Sequence, residues 1–180
     1  MAVNEIFRDL SAHFVKGMMV HDKMADYYDF LSLRGYKRCH EYHFRRESAN
    51  YRRLHRYYIN RYHKLIEEAP VGEPDIIPAS WYRYTRNEVD TSTKRSAIKS
   101  GVDKWITWET ETLNKLQQAY DALCEAGDPA AALFIEDYIQ DTECELKAAH
   151  RKALELSAVD YDMPYIMQEQ KRIHDKYKRK

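Results

Sequence analysis

The chain has 180 residues, enough for one domain with a continuous core and no need of disulfide or metal staples. Only five glycines and five prolines punctuate long stretches of Ala, Leu, Glu, Lys, Arg and Gln, which excludes a fold of short strands and turns and predicts an all-α protein. Its 29 basic residues balance 29 acidic ones, which excludes a globally charged surface for a polyanion and leaves any such role to local asymmetry. Cys39, Cys124 and Cys144 show no C-x-x-C spacing and read as reduced thiols. The opening MAVNEIFRDL lacks the basic-then-apolar layout of a signal peptide, and no run approaches the roughly 18 apolar residues that span a bilayer. The expectation is a cytoplasmic protein with no membrane association.

From about Asn4 to Leu33, Ile6, Leu10, Phe14, Met18, Met24, Tyr28 and Leu31 recur at steps of three or four, or their sum, predicting an amphipathic helix A. Arg34-Gly35 interrupts it, with Gly35 suited to a left-handed turn residue, and helix B follows from about Tyr36 to Ile66. Residues 69 to 92 gather Pro70, Pro74 and Pro78 without a sustained period, as expected of a long crossover running along a bundle. Thr91, Ser92 and Thr93 offer N-caps for helix C, with an inner stripe of Ile98, Val102, Trp105, Glu109, Thr112, Leu116, Ala119 and Leu123. Gly127-Asp128-Pro129 combines a C-cap glycine, an N-cap aspartate and a proline for the first helical position, so helix D starts near Pro129. Its stripe is Ala131, Ile135, Tyr138, Thr142, Glu145, Ala149 and Leu156, ending by Pro164. Two hairpins joined by a long crossover thus make a four-helix bundle over residues 1–160, followed by a basic C-terminal segment, 161–180, as a short helix or tail.

Glu109 stands where periodicity puts the core, between Trp105 and Leu116, and a carboxylate there needs a cation, a metal or further hydrogen bonds. Glu145 falls on the comparable stripe of helix D. On helix B, Tyr36, His40, His43, Glu47, Asn50, Leu54, Tyr57 and Arg61 share one face, so His43 and Glu47, four residues apart, converge with Glu109 if that face points inward. Imidazoles with carboxylates suit iron, manganese or zinc. The bland alternative pairs Glu109 with an arginine of helix B and leaves the histidines on the surface or bonded to tyrosine.

The chain resembles ferritins and the related Dps-type proteins. The likeness is carried by Glu109, Leu116, Gly127-Asp128-Pro129 and Phe134-Ile135-Glu136, which follow the ferritin spacing from helix C into helix D, and by Glu47, Asn50, Leu54, Tyr57 and Arg61 on helix B. The resemblance implies a ferritin-like fold, a homo-oligomer, and iron taken up or oxidised by oxygen at ligands Glu47, Glu109 and Glu145, with His43 or Asn50 completing the shell. Asn50 stands where the family has a histidine, and helix A carries no glutamate between Glu5 and Glu41, leaving His13, His21 or Asp22 as substitutes. Loss of the metal centre would leave an oligomeric scaffold.

The last ten residues hold Lys171, Arg172, Lys176, Lys178, Arg179 and Lys180 against one Asp175. Dps-type proteins similarly hold DNA through basic tails, so this resemblance implies non-specific, salt-sensitive DNA contact; a solvated tail is the competing reading.

Overall fold

The computed structural model describes residues 2–177, which form five α-helices: α1 (Val3–Phe30), α2 (Arg34–Tyr62), α3 (Thr91–Glu125), α4 (Pro129–Ala158) and α5 (Met163–Tyr177). The hairpins α1/α2 and α3/α4 pack together as a four-helix bundle, α1 touches α3 across it, and α5 folds back onto α2. The crossover between the hairpins carries two 3-10 turns, Ala79–Arg83 and Arg86–Glu88. Among the described residues no helix is long and apolar enough to cross a membrane.

Local chemistry sets the helix ends. Asp90, rather than the predicted Thr91, Ser92 or Thr93, caps α3 by accepting a 2.7 Å hydrogen bond from the Thr93 amide. Gly127 takes the left-handed conformation (φ 73°) after α3, and Asp128 then caps α4 ahead of Pro129, as the tripeptide predicts. Asp128 also accepts from the Tyr62 hydroxyl at 2.5 Å and pairs with Arg61, locking the end of α2 to the start of α4.

Three sequence expectations about boundaries and faces need correction. Gly35 is not the turn residue: α1 turns into α2 through Leu31–Leu33, with Ser32 supplying the positive φ of 62°, and Gly35 lies inside α2. Its lack of a side chain serves packing instead, because a Cβ there would sit 2.0 Å from the Gln170 carbonyl oxygen of α5. Helix α4 ends at Ala158, and Pro164 belongs to the first turn of α5, where its missing N–H costs nothing. On α1 the predicted Ile6, Leu10, Phe14, Met24 and Tyr28 are buried, but Met18 is only half-buried and Gly17, Val20 and His21 are buried in its stead; on α2 Tyr58 is buried while Tyr57 is half-buried and Arg61 exposed.

The interior has three layers. One end is an apolar core built around Phe7, Leu10, Phe14, Leu54, Leu116 and Ile135. The other is built around Tyr28, Leu31, Leu33, Ile98, Val102 and Ile166. Each fully buried aliphatic side chain in these layers contributes roughly 1.5–3 kcal/mol relative to its exposed state. Between them lies a waist where His13, His21, His40, His43, Glu47, Glu109, Thr112 and Thr142 are all buried.

Gly35→Ala drives a methyl into the α5 backbone and should cost about 1–3 kcal/mol by overpacking. Hydrogen exchange of residues 163–177 should then accelerate and Tm should fall; unchanged protection of α5 would contradict the close approach.

Candidate metal centre

Three helices deliver side chains to the waist at helical spacing. From α1 comes His21; from α2 come His40, His43 and Glu47, a four-residue step bringing Glu47 under His43; from α3 come Trp105 and Glu109, again four apart. One ligand atom from each of His21, His43 and Glu109 falls within 4.8 Å of the others, and these three residues are 0%, 3% and 4% exposed. His21 Nε2 lies 4.0 Å from Glu109 Oε1, and the His21 and His43 rings stack with centroids 5.1 Å apart.

The hydrogen bonds around this triangle orient it from outside. Trp105 Nε1 donates to Glu109 Oε1 at 2.9 Å, which fixes the carboxyl and leaves its second oxygen available. His21 Nδ1 and His40 Nδ1 lie 3.1 Å apart, so one donates and the other accepts. In the tautomer where His21 donates, its Nε2 keeps a lone pair facing Glu109, the arrangement by which an outer partner orients a metal-binding imidazole. His40 is held in turn by stacking on Tyr28 and edge contact with Trp105.

Around the triangle buried polar atoms go unmet. His21 Nε2, His43 Nε2 and Glu47 Oε2 are buried with no hydrogen-bond partner; Glu145 Oε2 is 3.5 Å from His43 Nε2 without forming one. An unsatisfied buried polar atom costs about 1–3 kcal/mol, so three of them facing one waist is a feature that apolar packing does not explain. A cation held by His21, His43 and Glu109 would engage the two unmet imidazole nitrogens, and these donors fit such an ion; Glu47 lies in the same waist outside that close group.

The protonation states follow from burial. Burial lowers the pKa of His21 well below its ordinary value, with His43, His40 and Arg46 adding to the effect, and burial likewise lowers His43, helped by His40, Arg46 and Lys176. His40 is lowered to about 3 by burial alone. Glu47 is pushed up to about 8 by burial and by the Glu109 carboxylate, opposed by Arg46. Glu109 rises to about 7 through burial, opposed by the Trp105 hydrogen bond and Arg46. At neutral pH the imidazoles are therefore uncharged, with lone pairs free for coordination, while Glu47 is mostly protonated and Glu109 about half so, and an incoming cation displaces those protons.

The sequence-predicted ligands separate into two groups. His43, Glu47 and Glu109 lie in the waist, whereas Glu145 is half-buried and ion-paired with Arg46 on α2. Asn50 is half-buried one turn beyond Glu47, its main-chain carbonyl accepting from the Tyr138 hydroxyl at 3.2 Å. Helix α1 adds no carboxylate: facing Glu47 it has Gly17, where a Cβ would lie 3.0 Å from Glu47 Cδ and 2.9 Å from Trp108 Cζ2. Its contribution is His21, which sequence reasoning held only as a substitute; steps of seven, three and four from Phe14 through His21 and Met24 to Tyr28 were the signal. Of the other two substitutes, His13 is occupied by Thr112 Oγ1 at 2.8 Å and by stacking on Trp108, and Asp22 is exposed. No arginine pairs with Glu109 among the described residues, against the bland expectation. Of the basic residues named for DNA contact, Lys171, Arg172 and Lys176 are exposed on α5, and Lys178, Arg179 and Lys180 lie outside the described residues.

No protein-family model and no curated protein sequence matches the chain. Solved structures match its fold. A humanized archaeal ferritin superposes with a TM-score of 0.80 at 12% identity, covering 96% of each chain. An open-pore ferritin from the hyperthermophilic archaeon Archaeoglobus fulgidus gives 0.78 at 14% identity, covering 95% of this chain and 93% of the ferritin. A PmFTN variant soaked in iron gives 0.76 at 11% identity, covering 93% and 96%.

Glu47→Gln tests the waist directly. A carboxyl whose folded pKa of about 8 exceeds the unfolded 4.5 destabilises the fold progressively as pH rises between those values, because the unfolded chain releases its proton first. In chelator-treated protein, Glu47→Gln should therefore add about 1–3 kcal/mol in urea unfolding at pH 8.5 and much less at pH 5. A gain independent of pH would contradict a protonated, buried Glu47.

Proposed function

We propose that this chain, whose fold is that of the ferritin-like superfamily, takes up ferrous iron at a single-ion site formed by His21, His43 and Glu109, with Glu47 as a fourth donor. The observation that carries this reading is the triangle of buried ligand atoms from three helices, two of them imidazole nitrogens without hydrogen bonds. The iron-soaked PmFTN structure, similar in fold, adds support. Mixed imidazole and carboxylate ligation also suits manganese and zinc, which should compete for the site.

Iron is the substrate here, and oxidation transfers one electron from each ferrous ion to dioxygen. The chain's part is to bind and to manage charge. Entry of a divalent cation displaces protons from Glu47 and Glu109, and the resulting carboxylates favour the more highly charged ferric product. Glu145, neutralised by Arg46, borders this set at 3.5 Å from His43 Nε2, and the three-ligand group supports one ion per bundle rather than a bridged pair. Exposed Leu65, Tyr82, Leu133 and Leu154 support assembly of several copies, and three free cysteines suit a reducing, cytoplasmic compartment.

A second reading is a metal-free scaffold that contacts DNA through Lys171, Arg172 and Lys176. It has their exposure in its favour, but Glu169 and Asp175 share the same helix, and this reading leaves the waist unexplained.

Anaerobic titration of chelator-treated protein with ferrous iron should saturate at a single equivalent per chain, with protons released near pH 7. His21→Ala and Glu109→Gln should each weaken binding by about tenfold or more. In air, oxidation should outpace buffer alone. Absence of saturable binding, or affinity unchanged from the unsubstituted chain in either variant, would reject the site.

A further inference from the structure

A second feature lies beside the waist and does not depend on the metal reading. Helix α5 does not seal against the bundle along its whole length, and beneath it is a cleft of about 400 Å³, within the size range of small-molecule sites. Its inner wall is aromatic, with Tyr36, His40 and Trp105 from the bundle facing Tyr165 and Tyr177 of α5. Its rim is basic. Lys152 is committed to Glu155 and Glu169, the two acidic residues that line the cleft, and Glu169 also accepts from the Tyr36 hydroxyl at 2.5 Å. Arg151 and Arg172 line the same cleft, are exposed, and make no ion pair among the described residues; Lys176 joins them, its Nζ 5.0 Å from the Tyr177 ring centroid.

Acidic groups of the cleft are thus consumed internally, while two exposed guanidinium groups that line it beside aromatic rings remain without an ion pair among the described residues. We propose that this cleft binds a planar aromatic anion, with the ring lying against the Tyr165 and Trp105 wall and a carboxylate or phosphate held by Arg151 and Arg172. Guanidinium groups match both head groups through paired N–H donors, and flat aromatic walls select a flat ligand over a free inorganic ion. A charge-only patch would take inorganic phosphate as well, and an apolar cleft would take a neutral ring as well. This cleft carries both elements.

The test is isothermal titration of the full-length, metal-free protein with naphthalene-2-carboxylate, 2-naphthyl phosphate, neutral 2-naphthamide and inorganic phosphate. Either aromatic anion should bind with a Kd below about 1 mM, and the tighter of the two identifies the head group. Naphthamide and inorganic phosphate should each be weaker by about tenfold or more. The double substitution Arg151→Gln with Arg172→Gln changes two exposed residues. It should abolish the preference for the anions and leave naphthamide binding unchanged. Tyr165→Ala should weaken both aromatic anions. Equal affinity for naphthamide and naphthalene-2-carboxylate, inorganic phosphate binding as tightly as the aromatic anions, anion binding unaffected by the double substitution, or no binding at 1 mM would overturn the proposal.

Discussion

The desolvated waist is the constraint on which the rest of the molecule depends. Two carboxyls and several imidazoles are held away from water between two apolar layers, and burying even one such group uncompensated costs several kcal/mol. The cost is met in part by proton uptake on Glu47 and Glu109 and by neutrality of the histidines. It is met in part by directed hydrogen bonds, from Trp105 to Glu109 and between His21 and His40. What remains in the waist is a set of buried atoms with no hydrogen-bond partner, on His21, His43 and Glu47. The apolar layers on either side supply the stability that lets the waist stay polar, and rigid helices set its spacing.

That architecture was largely legible in the sequence because it is written in local patterns. Every position of the α3 stripe from Ile98 to Leu123 is buried, and Gly127-Asp128-Pro129 forms the turn its residues dictate. The same pattern marked Glu109 as an interior carboxylate, and His43 and Glu47 followed from their shared face on α2. Gly35 was misread because its reason is tertiary: the residue that forbids a side chain there is Gln170, far away in sequence.

The ligand set was less legible for a related reason. Periodicity assigns a face but not a partner, so nothing local distinguishes Glu109, met only by an indole N–H, from Glu145, captured by Arg46. On α1 the apolar Met18 masked the inward path through Gly17 to His21, since a glycine carries no hydrophobic signal and a histidine weakens one. The family resemblance pointed to a carboxylate on the first helix and a histidine at Asn50. This chain instead brings its imidazoles from His21 and His43, which changes the donor chemistry while keeping the bundle.

Helix α5 connects the waist to the surface. It docks through Gly35 and the Tyr36–Glu169–Lys152 network, and His40 both lines the cleft beneath it and touches His21. The most direct test of the account is anomalous diffraction from crystals of the protein soaked anaerobically in ferrous iron. The account predicts a single peak coordinated by His21 Nε2, His43 Nε2 and an oxygen of Glu109, at about 2.0–2.2 Å from each. A soaked crystal with no peak in the waist, or with an arginine or a water chain occupying the space between those atoms, would contradict it.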